Sequence, residues 1–102
     1  MAVHQETLEI RTRGAGTIEL TDEVERVVRA SGIATGVAHV FCLHTSCSLI
    51  MMENADPTAR RDLERWLDRL VPEDTHYFIH TCEGPDDMPS HIRMALTSPA
   101  PA

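Results

Sequence analysis

Apolar and polar positions change their spacing several times along this 102-residue chain, and each change marks the edge of an expected element. Residues 3–12, VHQETLEIRT, mix β-branched and polar types and put Leu8 and Ile10 on one face, the two-residue period of a strand. Gly14-Ala15-Gly16 reads as a turn, and residues 17–20 as a second short strand. The period then lengthens. Thr21-Asp22 offers an N-cap, with Glu25 three residues after Asp22, and Val24, Val27 and Val28 follow at helical spacing. Ser31-Gly32 ends this helix, with Gly32 suited to a left-handed cap. Residues 36–43, GVAHVFCL, and 47–52, CSLIMM, are nearly continuous apolar runs of strand length, expected as buried central strands. The polar break His44-Thr45-Ser46 between them is a turn or a bulge.

The clearest helix opens at Asp56-Pro57, a capping side chain followed by proline at the first helical position. Ala59, Leu63, Trp66, Leu67 and Leu70 form one apolar stripe, with Trp66 and Leu67 expected at its buried centre. Arg60, Arg61, Asp62, Glu64, Arg65, Asp68 and Arg69 make the other face, a solvated surface of mixed charge rather than a nucleic-acid patch. Val71-Pro72 stops the helix. Residues 73–87 are loop-like apart from a short strand at 77–79. A last helix, capped by Asp87 or a neighbour, carries Met88, Ile92, Ala95 and Leu96 inward. The tail from Ser98 cannot continue it and is expected to fray. With no repeat and no linker, residues 1–102 read as a single domain.

Composition narrows the classes. Phe41, Trp66, Tyr77 and Phe78 are the only aromatics, so aliphatic and Met side chains supply most of a modest core and oligomerisation is a route to more burial. A net charge of −7 opposes non-specific binding to nucleic acid or anionic membrane. No segment has the apolar length of a membrane span and no signal-peptide pattern opens the chain. Cys42, Cys47 and Cys82 are odd in number and contain no CxxC pair, which fits reduced thiols in a cytoplasmic protein.

The chemistry gathers between His44 and His91, where hydroxyls, carboxylates and imidazoles recur at element borders. His44, His80 and His91 each sit beside other polar residues. Spacing leaves two readings open: separately exposed side chains, or three ligands of a zinc site with an open fourth position. His39, inside an apolar run, reads as structural, and His4 and His76 as exposed bystanders. Thr45, Ser46 and Ser48 are turn formers or phosphate donors. Asp56 reads as an N-cap, a role compatible with a neighbouring site, and Glu53 and Asn54 precede that helix. One of Asp86 and Asp87 caps the last helix, which frees the other for a cation, a substrate amine or a salt bridge. Asp87 and His91, four apart, share a helical face where the carboxylate can orient the imidazole.

The blocks HTSCSLIMMENADPTARRDLERWLDRLVPED and HTCEGPDDMPSHIR together resemble the YjbQ family, also called secondary thiamine-phosphate synthases, over nearly the whole chain. The resemblance implies an α+β fold with a β-sandwich-like sheet and two or three helices, assembled as a homotrimer. It also implies C-terminal strands with a Gly-Thr-Trp-Gln-like segment that have no counterpart here, so the chain reads as C-terminally truncated. The implied activity couples hydroxymethylpyrimidine diphosphate to a thiazole phosphate and releases pyrophosphate. In that reading His44, Glu53, Asp87 and His91 are catalytic. Thr45, Ser46, Ser48, Asn54, Asp56 and Asp86 hold a small phosphorylated substrate. A divalent ion, Mg or Zn, is bound by His44, His80 and His91. Two rival expectations stand beside it: a hydrolase built on a His-bound zinc water, and a small-molecule or metal-binding trimer without turnover.

Overall fold

The computed structural model describes residues 2–53 and 55–98; Asn54 and the tail beyond Ser98 lie outside the described residues. Three helices run in chain order: α1 (Thr21–Ser31), α2 (Pro57–Leu70) and α3 (Asp87–Thr97). The chain divides into two compact units, one of Met1–Arg13 with Ile18–Val40, the other of Gly14–Thr17 with Phe41–Ala102.

The α+β expectation is corrected: among the described residues there is no β-strand and therefore no sheet. Residues 3–12, 17–20, 36–43, 47–52 and 77–79, each expected as a strand, are irregular chain. The physical reason lies in pairing. A strand exists only as one side of a hydrogen-bonded ladder, and strand propensity measures packing on a sheet rather than a backbone preference. The main-chain bonds found outside the helices are turns and caps that span three or four residues, such as Phe78 N–H to Thr75 C=O at 3.3 Å. The side chains that were to face a sheet interior stand in solvent instead: Met51 is 100% and Ile79 95% exposed.

In the first unit α1 begins at Thr21 with Leu20 at the cap position, so the Thr21 and Asp22 side chains lie within the helix rather than capping it. Its end follows the sequence: Gly32 takes φ 68°, the left-handed conformation that a Cβ disfavours, and its N–H bonds the Arg29 carbonyl. Glu6 ties the preceding segment to this helix, accepting from Arg26 Nη1 at 3.3 Å and pairing with His4 Nε2 at 3.0 Å. The His4 hydrogen bond, with Arg26 assisting against burial, holds the Glu6 carboxyl below its ordinary range.

In the second unit Asp56 caps α2, accepting from the Thr58 N–H at 2.9 Å and the Thr58 hydroxyl at 2.8 Å, with Pro57 at the first position. The stripe on α2 is less covered than its spacing implies, since Leu67 is half-buried and Trp66 remains 59% exposed. The hydrophobic centre of this unit lies past the helix, at buried Val71, which helps line a pocket of about 280 Å³ with Leu70, Phe78 and Ile92. Arg93 on α3 reaches the same place: its Nη2 donates to the Val71 carbonyl at 3.2 Å and to Asp68 at 3.1 Å. A cation at the carbonyl end of α2 is favourable because free carbonyls and the helix dipole both attract it. Thr17 fixes the other side of α2, donating its N–H to Glu64 Oε1 at 3.2 Å and its hydroxyl to the same oxygen. No helix among the described residues is long and apolar enough to cross a membrane.

Candidate metal centre

The first turn of α3 places the central group of the site. Pro85 and Asp86 lead into the helix, and Asp86 occupies its N-cap position through its backbone rather than a side-chain bond: its carbonyl accepts from the Ser90 N–H and hydroxyl. Gly84 sets the approach at φ 106°, where a Cβ would also lie 3.1 Å from Asp86 Oδ1. Asp87 is then the first helical residue, and His91 follows one turn later on the same face.

Asp87 Oδ2 lies 2.8 Å from His80 Nε2 and 3.1 Å from His91 Nε2. The two imidazole rings stand edge to face with centroids 5.6 Å apart. Two imidazole nitrogens and one carboxylate oxygen thus lie within 4.8 Å of one another, the grouping among the described residues that brings three metal-ligand atoms together. The ring of His91 is oriented from behind. Its Nδ1 is 2.9 Å from the Thr45 carbonyl oxygen, which can only accept, so Nδ1 carries the proton. Nε2 is then the atom that would coordinate a metal once it gave up the proton it holds toward Asp87, the arrangement by which outer groups orient metal-binding histidines.

The electrostatics agree with this geometry. The Thr45 carbonyl, followed by the Asp87 and Glu83 charges, outweighs burial and raises the His91 pKa from its ordinary value. Burial opposes ionisation of Asp87, but hydrogen bonds and charge from His80 and His91 outweigh it and hold that carboxyl below its ordinary value. In this state Asp87 accepts two N–H bonds, so protons occupy the positions that a cation would take.

The remaining expected residues lie elsewhere. His44 is not in the group: its Nδ1 accepts from the Ser46 N–H at 3.1 Å and lies 2.7 Å from the Ser46 hydroxyl, which commits that lone pair to its own turn. Thr45 reaches the site through its carbonyl rather than its hydroxyl. The Ser48 hydroxyl bonds Thr97, Glu53 accepts from the Ala55 N–H at 2.9 Å, and Asp56 caps α2. His4 pairs with Glu6, His76 stacks edge-on against Tyr77, and His39 is exposed. Sequence reasoning cast Asp87 as an orienting carboxylate and placed His44 among the ligands. The four-residue spacing of Asp87 and His91 was the available signal for Asp87.

The description "UPF0047 protein YjbQ-like" belongs to the family whose pattern matches residues 6–101. The chain belongs to that family. A UPF0047 protein of Synechocystis sp. is 49% identical over 94 residues, covering 92% of this chain and 64% of the relative. The UPF0047 protein YjbQ of Escherichia coli O157:H7 is 39% identical over 94 residues, covering 91% of this chain and 67% of the relative. A UPF0047 protein of Methanothermobacter thermautotrophicus is 32% identical over 97 residues. The chain thus spans about two thirds of the length of these family members. No solved structure matches it.

Proposed function

We propose that this YjbQ-family protein is a metal-dependent enzyme acting on a small phosphorylated substrate, with a divalent ion held by His80, Asp87 and His91. The observation that carries the reading is the convergence of three ligand atoms within 4.8 Å, one of them on a ring oriented by the Thr45 carbonyl. The donors fit a cation chemically. Two imidazoles and one carboxylate suit zinc and its first-row neighbours better than magnesium, which prefers oxygen. Bound there, the ion supplies positive charge for the oxygens of a diphosphate in a chain whose own charge is −7. His80, Asp87 and His91 bind, and Thr45 holds His91 in its tautomer. The reaction this reading assigns is the coupling of hydroxymethylpyrimidine diphosphate to a thiazole phosphate with release of pyrophosphate, in a homotrimer.

Hydrolysis is the second reading, because two histidines and one carboxylate are also the donor composition of catalytic zinc sites. One set of measurements separates them. Zinc and magnesium are titrated calorimetrically into the wild type, His91→Ala, Asp87→Asn and His44→Ala. Loss of a donor is expected to weaken zinc binding at least about 100-fold, while His44→Ala binds as the wild type does. The zinc-loaded chain is then given the diphosphate with and without the thiazole phosphate. Pyrophosphate released only when both are present supports the transferase. Phosphate released from one substrate alone supports the hydrolase, and zinc binding that survives His91→Ala overturns the site.

A further inference from the structure

The turn that orients His91 is flanked by two thiols that the metal reading does not use. Cys42 and Cys47 bracket His44, Thr45 and Ser46, and their Sγ atoms lie 2.9 Å apart. The Cys42 thiol also directs a hydrogen bond to the Cys47 carbonyl at 3.8 Å. Both are free thiols, Cys42 half-buried and Cys47 exposed, so a small molecule can reach the pair. The hydrogen bond to Cys42, then burial and the Cys42 charge, push the Cys47 thiol up to about 11. A disulfide holds its sulfurs at about 2.05 Å, so bonding requires only a short closure of the turn. Thr45 lies inside the ring that closure makes.

We propose that Cys42 and Cys47 form a reversible internal disulfide by exchange with a low-molecular-weight disulfide, and that closing it resets the Thr45 carbonyl under His91. One cysteine, as thiolate, attacks a sulfur of the small disulfide; a mixed disulfide forms and one small thiolate leaves. The second cysteine attacks the protein sulfur of that intermediate, the Cys42–Cys47 bond forms and the second small thiolate leaves. The two cysteine protons end on the two released thiols. The protein dithiol is oxidised, the small disulfide is reduced, and no further oxidant enters. The link to His91 deepens the metal reading, since His91 is one of its donors, whereas the disulfide itself does not depend on that reading.

The test uses the full chain with oxidised glutathione, in the wild type, Cys82→Ser and Cys47→Ser, without metal. Intact mass and peptide mapping are expected to show loss of two hydrogens and a 42–47 linkage in the first two, reversed by dithiothreitol. Placed in the Cys82→Ser background, which removes the exposed third thiol, Cys47→Ser is expected to stop at a single glutathione adduct on Cys42. Nitrogen NMR of the imidazoles is expected to show the His91 ring resonances moving on oxidation while those of His76 stay in place. A stable glutathione adduct on the wild type, with no internal bond, overturns the pair. A 42–47 bond with unmoved His91 resonances overturns its link to the site. Zinc titration of the reduced chain reads the metal proposal separately: absence of zinc binding there removes that proposal and leaves the disulfide result standing.

Discussion

At position 45 the useful atom is a main-chain oxygen. The Thr45 carbonyl meets His91 Nδ1, and any residue with the same backbone path supplies it equally. Thr45→Ala is therefore expected to leave zinc affinity unchanged, where His91→Ala removes it; calorimetric titration of both variants checks this. A loss of binding in Thr45→Ala as large as that in His91→Ala would show that the hydroxyl matters after all. The same contrast explains what was legible at this scale. Asp87 and His91 share a helical face by spacing alone, so their pairing was readable. That His80 completes the group depends on how the 73–86 segment folds back toward α3, and no local pattern encodes such a return. His44 looked equivalent to His80 on the page, but its neighbour Ser46 offers two donors at closer range than any distant partner. Short-range hydrogen bonding of this kind, side chain to nearby backbone, competes with long-range sites wherever turns are rich in Ser, Thr and Asp.

Helices were legible and strands were not, for one physical reason. A helix satisfies its own backbone, so caps and period act locally; Asp56-Pro57 at the start of α2 and Gly32 at the end of α1 specify their boundaries without help. A strand borrows its partner from elsewhere, and the apolar runs at 36–43 and 47–52 carry no information about which segment pairs with them. The cap of α2 gives a direct test. Asp56→Ala is expected to fray the first turn and lower the ellipticity at 222 nm, whereas Asp56→Asn, an equally good capping residue, is expected to retain it. Equal helicity in all three proteins would mean that Pro57 alone sets the start.

Glu64 on α2 adds a pH dependence. The Thr17 hydroxyl bond, with the Thr17 N–H and Arg60 assisting against burial, holds its carboxyl below the ordinary value of 4.5. A carboxylate whose folded pKa is depressed contributes stability that is fully present above its unfolded value and is lost as pH falls through the folded one. Urea midpoints measured from about pH 6 down to about pH 3 are thus expected to decline, and to decline less steeply in Glu64→Gln. Parallel curves for the two proteins would assign the acid sensitivity to other carboxylates.

For the molecule as a whole, charge and apolar exposure pull in opposite directions. Among the described residues Val71 is the buried hydrophobic, while Phe41, Leu43, Met51 and Ile79 stand largely in solvent. Covering apolar surface is worth roughly 25 cal/mol per Å² before association costs are subtracted, and this is the term that the proposed homotrimer draws on. Against this, each copy brings a net charge of −7, and three copies repel one another. Salt screens that repulsion over about 8–10 Å at physiological strength and leaves the apolar term in place. The homotrimer of the proposed function is therefore expected to tighten as sodium chloride is raised, opposite to an assembly held by ion pairs. Light scattering at micromolar concentration is expected to report three times the 11.4 kDa chain mass, with the trimer fraction rising with salt. A mass of one chain at every salt concentration, with a cooperative melt, would sink the trimer. A trimer that dissolves as salt rises would keep the assembly but transfer its stability to ion pairs between copies.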